Sequence, residues 1–344
     1  MSMLLNIPYA FAILLVYLYI LYTTFGGLFS VVKTDAVNAA IISAAFITFG
    51  IYLMQKCGGL SNIISTAAGI DTYPINGWDI KTPVGGLLHP FCKGLQPPVY
   101  VFTSFFGWGL GLAANPQYVI RIVSSRNRLT GKKMVIYSLM LLSTIYFFIV
   151  IGSIGLRTLI PSAPAVQNMD EIVPFLFNRI APPYLTGFIL IAIIASSVST
   201  ANSELLIIAN SFTYDILKNK AKKAIGEDEM LSLNRITIAV AGTLSLLLSY
   251  NPPKNLIEFG GNMWGFFASS TFIPLYAGIF CKKASKFSAE LSFFAGLIAY
   301  ITLLSTQPMI SNPLFKLIHP GLPSFIISLA AFIWGERKVK HAKH

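Results

Sequence analysis

Ser196, Ser199 and Thr200 stand at i, i+3 and i+4 within the stretch 187–217, GFILIAIIASSVSTANSELLIIANSFTYDIL. A helix advances about 100° per residue, so the three share one face within a turn of each other. That face offers hydroxyl and carbonyl oxygen, and a hard cation such as Na⁺ is one candidate for it, because it takes oxygen ligands. Ser203, Asn210 and Ser211 continue the arc, with Ser197 and Glu204 at its edge and Ile194, Val198, Leu205 and Phe212 opposite. The stretch is also apolar and long enough to cross a bilayer, where unbound oxygen is costly. Close helix packing through Ser and Thr is the competing reading, and it suffices for any one of these residues. Their number on one face, beside a carboxylate, favours a cation site. A bare carboxylate facing lipid is too costly, so Glu204 is expected near a polar cleft, hydrated or protonated.

Two other stretches can present polar groups in the membrane. Gly107-Trp108-Gly109-Leu110-Gly111 is followed by Asn115-Pro116, and three glycines with a proline predict a discontinuous helix. Asn262-Met263-Trp264-Gly265, followed by Ala268-Ser269-Ser270, is similar in kind. Backbone groups freed at a break can hold ions or polar solutes, so Asn115 and Trp264 are candidate substrate-facing residues. Close packing through glycine, or of Trp264 against lipid or a neighbour, is the alternative. Tyr22-Thr23-Thr24-Phe25-Gly26-Gly27 and then Val31-Val32-Lys33-Thr34-Asp35 form the first connection. Thr34 or Asp35 is expected to N-cap the helix that follows.

The elements that must position these residues are membrane helices. The chain has 344 residues, 55% of them hydrophobic and only 11% charged, against roughly a quarter charged in a soluble domain. This predicts an all-α polytopic membrane protein. Nine spans are expected, near 4–24, 36–55, 98–122, 134–156, 187–215, 233–250, 255–281, 287–305 and 322–335. The first residues lack the basic region and cleavage site of a signal peptide. An odd number of spans puts the termini on opposite sides. With the C-terminus cytoplasmic, the inner segments hold 18 of the 25 Lys and Arg, so the N-terminus is expected outside. The formal charge of +12 then needs no nucleic-acid partner.

Two long outer loops, 57–97 and 157–186, read as connecting or lid segments. Cys57 and Cys92 share the first of these. A bridge between them is chemically open on that oxidising side, although free thiols are expected. His89 and His319 fall in loops and His341 and His344 at the tail, so no His-based metal site or catalytic group is expected. A membrane-embedded enzyme would need converging catalytic groups, and none is seen.

The connection motif, Gly107–Pro116 with the following Arg121, and the polar stretch with Thr213-Tyr214-Asp215 together resemble the sodium:solute symporter family, most of all its proline and pantothenate branches. The resemblance spans nearly the whole chain. It implies a fold of two inverted five-helix repeats. The first seven spans would be core helices 4–10 and the last two the C-terminal additions, within one transporter domain over residues 1–344 that lacks core helices 1–3.

It also implies a sodium site at the Ser196 carbonyl and the Ser199 and Thr200 hydroxyls, with Asp35 on the inward exit path and Trp108 facing substrate. The family's aromatic four positions beyond that tryptophan is Leu112 here, which argues against proline, and Glu204 replaces a usual glutamine. Core helix 1 would supply further sodium oxygens. The expected function is sodium-coupled symport of a small organic solute by alternating access in the cell membrane. Na⁺ is the coupling ion, there is no cofactor, and a separate chain is one source of the other helices. A non-transporting subunit, sensor or inactive remnant is the alternative.

Overall fold

A computed structural model describes residues 8–70, 83–160, 172–220, 225–249 and 256–341. The segments 71–82 and 161–171, which include Trp78, lie outside the described residues. The main helices are α1 (Tyr9–Phe25), α2 (Gly27–Lys56), α3 (Leu60–Gly69), α4 (Pro98–Ala114), α5 (Pro116–Val123), α6 (Arg128–Leu159) and α7 (Ile172–Ile180), followed by α8 (Pro183–Asn210), α9 (Glu227–Leu248), α10 (Leu256–Ser270), α11 (Phe272–Phe280), α12 (Lys286–Thr306) and α13 (Gly321–His341). Among the described residues, five helices are long and apolar enough to cross a membrane, or six if the bent pair α10–α11 counts as one span. That is fewer than nine, because α1 and α4 have only 17 residues each and α13 ends in a charged turn, Glu336 to Lys340. In the apolar part of α6 only 6% of residues are buried, as befits a helix whose surroundings are lipid.

The contacts group into two units, Met1–Leu87 with Lys132–Lys254, and Leu88–Gly131 with Asn255–His344. In the first, α8 packs on α2, α9, α1 and α7. One core is Phe49, Leu53, Leu156, Phe177, Leu185 and Ile189, with the Phe49 and Phe177 rings 4.7 Å apart. A second joins Val31, Leu206, Ala209 and Ile238.

The first connection is shorter than its sequence suggests. The chain turns at Gly26-Gly27, where Gly27 has φ +75°, a conformation that suits glycine. Helix α2 starts there with Gly26 as N-cap. Thr34 and Asp35 therefore lie inside the helix and do not cap it. The Thr34 hydroxyl instead donates to the Ser30 and Val31 carbonyls of its own helix.

In the second unit α10 packs on α4, α12 and α13, and α12 on α13. The expected discontinuity of this span is at Asn115: α4 runs regularly through Gly107–Gly111 and ends before Asn115, which is extended (φ −66°, ψ 126°). The cause is Pro116, which disfavours helical geometry in the residue before it. Gly107 and Gly111 serve packing. A Cβ on Gly111 would collide with the Trp264 carbonyl, and one on Gly107 would meet the His319 ring at 2.8 Å. A second bend, of 42°, separates α10 from α11. Pro274 accounts for it, since its ring clashes with the carbonyl four residues back, at Ser270.

These contacts predict opposite outcomes for neighbouring glycines. Gly111→Ala overpacks the α4–α10 contact and should cost about 1–3 kcal/mol. A Cβ on Gly109 meets nothing within 4 Å, so Gly109→Ala should be neutral or stabilise by about 0.5–1 kcal/mol. Thermal unfolding of the two variants checks the pair.

The start of α12 carries a pH-dependent contact. The Ser285 amide donates to the Glu336 carboxylate at 2.6 Å, and this bond holds the Glu336 carboxyl below its ordinary range. A depressed folded-state pKa contributes stability above the ordinary carboxylate pKa, and that contribution is lost as pH falls through the depressed value. Glu336→Gln should therefore lower stability at neutral pH, by less than about 1 kcal/mol at this partly exposed site. It should also flatten the acid limb of a stability–pH curve.

Candidate functional site

Asp35 is the carboxylate around which α2 and α8 meet. It is 9% exposed. Ser199 Oγ donates to its Oδ1 at 2.7 Å and Ser203 Oγ to its Oδ2 at 3.2 Å. Ser199 and Ser203 are one turn apart, so a single face of α8 hydrates both carboxylate oxygens. A buried carboxylate needs such partners.

The second half of the arrangement lies on α8 alone. Thr200 Oγ1 donates to the Ser196 carbonyl at 3.2 Å. Ser196 and Thr200 are exposed and Ser199 is half-buried. Ser199 is thus the shared member: its hydroxyl hydrogen goes to Asp35, and its oxygen stays able to accept. The Ser196 carbonyl, Ser199 and Thr200 hydroxyls and the Asp35 carboxylate are oxygens of the kind a small hard cation takes.

The polar arc read from the sequence divides in space. Ser203 is buried on Asp35, while Ser196, Ser197 and Thr200 face outward from this unit. The residues opposite are not a lipid face throughout, since Val198 and Leu205 are 4% and 6% exposed. Ser197 merely back-bonds to the Ile193 carbonyl. Glu204 is half-buried. Asn202 is fully buried although it lies off the polar arc, because α8 is covered on two sides, by α2 and by α9, which sequence spacing does not reveal.

Helix α8 ends in a wider π turn, Ser211–Leu217. Thr213 back-bonds to the Ala209 carbonyl at 2.6 Å. Asn234 of α9 donates to Thr213 Oγ1 at 3.0 Å and to Asn210 Oδ1 at 2.7 Å. Single π turns are frequent at functional sites.

In the second unit, Asn115 is 1% exposed and its Oδ1 accepts the Gln117 amide at 2.7 Å. It caps α5 across the break. Trp108 is half-buried and lies where a Cβ on Gly261 would meet its Nε1 at 2.9 Å. Trp264 is half-buried, with the Tyr118 ring 6.2 Å away. Trp108 and Trp264 thus lie at the α4–α10 contact and Asn115 at the α4–α5 break, each with a packing or capping contact of its own.

Residues 1–296 match the family model described as "Sodium:solute symporter family". The chain is 26% identical over 317 residues to an osmoregulated proline transporter of Bacillus subtilis, covering 91% of this chain and 60% of that one. It is 26% identical over 344 residues to a sodium/pantothenate symporter of Escherichia coli K12, covering 96% of this chain and 65% of the relative. It thus spans about three fifths of the length of these relatives. A solved structure of a Na⁺-coupled sialic acid symporter, in a substrate-bound outward-open state with a novel Na⁺ site, superposes with a TM-score of 0.70. The sequences are 22% identical, and the match covers 94% of this chain and 67% of the other. At that identity the likeness concerns the fold.

Proposed function

The chain belongs to the sodium:solute symporter family, and on that premise we propose that it carries the sodium-binding and exit elements of a sodium-coupled symporter for a small organic solute. It is a multi-pass membrane protein of a transporter family and not an enzyme. The observation that carries the proposal is the Ser199 hydroxyl on Asp35 at 2.7 Å. It joins the ion ligands on α8 to a carboxylate on α2 in one continuous oxygen path.

Sodium binds the Ser196 carbonyl and the Ser199 and Thr200 hydroxyls, replacing the hydroxyl-to-carbonyl bond that now closes that turn. Further oxygens come from a facing helix. Asp35 receives the ion on the way out, through the Ser199 oxygen the two positions share. Sodium stabilises one conformation, so its gradient drives solute uptake by alternating access. Trp108, Asn115 and Trp264 face the solute. Relatives named for proline and pantothenate suggest its class, and Leu112 in place of an aromatic favours a solute other than proline.

Proteoliposome uptake of proline and pantothenate, with and without an inward sodium gradient, tests the proposal. Sodium-dependent accumulation of either supports it. Accumulation that ignores sodium contradicts it. The coverage of the relatives favours one second reading, that these residues form a non-transporting part of an assembly. On that reading residues 1–344 by themselves give no uptake, and uptake appears with a further chain.

Orientation is proposed as N-terminus outside and C-terminus cytoplasmic. Cys281 is exposed, Cys92 half-buried and Cys57 buried, all as free thiols, with Cys57 Sγ donating to the Gly155 carbonyl at 3.5 Å. An impermeant thiol reagent should label Cys92 on intact cells, Cys281 only after permeabilisation, and Cys57 slowly at best. Labelling of Cys281 alone on intact cells contradicts the orientation.

A further inference from the structure

Helices α12 and α13 pack as an antiparallel pair: Ser285 is bonded to Glu336 and, two turns further, Ser292 to Ser328. This brings Lys282, Lys283 and Lys286 to the same end as Arg337, Lys338 and Lys340, all of them exposed. The acids at that end are already engaged. Glu336 accepts the Ser285 amide, with Lys340 beside it, and Glu290 pairs with Lys286 at 3.6 Å. Among the described residues, Lys282, Lys283, Arg337 and Lys338 have no carboxylate partner. Lys338 lies instead over two rings, its Nζ 5.0 Å from the Trp334 centroid and 6.0 Å from that of Phe287. Ring faces attract the ammonium and leave N–H donors for an oxygen acceptor.

Beyond these cations the exposed face of the pair is apolar. Trp334 and Ile327 stand at i, i+7 on α13, Phe287 and Phe294 at i, i+7 on α12, and all four are exposed. Seven residues make about two turns, so each helix carries an apolar track that leads from the cations into the membrane. Lys338 touches both Trp334 and Phe287, which sets the two tracks side by side at their basic end. We propose that this end of the α12–α13 pair binds an anionic phospholipid, its phosphate on Lys338 and its acyl chains along Phe287–Phe294 and Trp334–Ile327. Lys282, Lys283 and Arg337 supply further positive charge, and they oppose the ammonium group of a zwitterionic lipid. The proposed orientation puts this end in the cytoplasm, where anionic lipid meets basic juxtamembrane residues.

The test reads Trp334 fluorescence, isolated as the difference from Trp334→Phe, with the full chain in nanodiscs of equal parts phosphatidylglycerol and phosphatidylcholine. One lipid or the other carries brominated acyl chains, which quench tryptophan on contact. Brominated phosphatidylglycerol should quench Trp334 more strongly than brominated phosphatidylcholine. Lys338→Gln should reduce that preference about fivefold, the attraction of one cation at an anionic surface. Lys282→Gln/Lys283→Gln, which leaves the ring contact of Trp334 intact, should reduce it too. Lys132→Gln/Lys133→Gln removes another exposed basic pair, on α6, and should leave the preference unchanged. Equal quenching by the two lipids, or a preference unchanged in either of the first two variants, overturns the proposal. An equal loss in Lys132→Gln/Lys133→Gln also overturns it, by assigning the preference to net charge. So does abolition of the preference by inorganic phosphate but not by sodium chloride of the same ionic strength, which would make the ligand a free anion.

Discussion

Asp35→Ala should raise the sodium concentration for half-maximal uptake by about ten- to a hundredfold, in a transport-competent protein carrying these residues. The range corresponds to about 1.5–3 kcal/mol for a contact to a charged group. Asp35 is a buried carboxylate, and both of its oxygens are held by α8 hydroxyls. Alanine removes the charge that attracts a departing cation and leaves Ser199 and Ser203 without their acceptor. Asp35→Asn separates the two effects. It keeps one carbonyl oxygen for a serine hydroxyl but removes the charge, so it should retain most of the stability and still show the sodium defect. If Asn restored sodium dependence fully, the carboxylate would be a packing partner and the exit path would lie elsewhere. Sodium titration of solute uptake, with thermal unfolding alongside, decides between these.

Ser199→Ala and Thr200→Ala should each raise the same half-maximal sodium concentration by about tenfold or more, as expected for loss of an oxygen ligand. Ser197→Ala should leave it near the wild-type value. Ser197 is the adjacent hydroxyl, exposed, and bonded only to the Ile193 carbonyl of its own helix, so it controls for helix propensity and for loss of a serine. Ser199→Ala should have the larger effect of the two site variants, because Ser199 serves both the α8 oxygens and Asp35. Thr200 bonds only to Ser196 O and should act on binding alone. Equal shifts in all three variants would mean that the polar face of α8 acts through packing.

The legible parts of this molecule follow from short-range rules. The spacing of Ser196, Ser199 and Thr200 put them within one turn, and the Thr200-to-Ser196 bond is that turn's own geometry. Composition announced membrane helices, and Asn115-Pro116 announced a break. The misplaced features depended on partners distant in sequence or on a rule applied at the wrong residue. Gly107–Gly111 suggested loosened backbone, but α4 is regular there, with the His319 ring against Gly107 and α10 against Gly111. Asp35 would be a helix cap only if the connection ran on past Gly26-Gly27, whereas Gly27, at positive φ, makes the turn. Its contact with Ser199 and Ser203 joins residues more than 160 positions apart, which no local pattern encodes. Pro274 signalled the α10–α11 bend through the clash of its ring with the carbonyl four residues back, but stood inside an otherwise apolar run. The π turn after Asn210 rests on Asn234 of the next helix, again beyond local reading.

The most direct test of the central claim, that sodium binds the Ser196–Ser199–Thr200 turn beside Asp35, needs no knowledge of the solute. Purified protein is titrated with sodium chloride against choline chloride at constant ionic strength, and thermal unfolding is followed for the wild type, Thr200→Ala and Ser197→Ala. A ligand that binds only the folded state raises stability with its concentration. The account predicts sodium-specific stabilisation of the wild type and of Ser197→Ala, with the Thr200→Ala curve displaced about tenfold to higher sodium. Stabilisation equal in sodium and choline, or a Thr200→Ala curve that overlays the wild type, would contradict it.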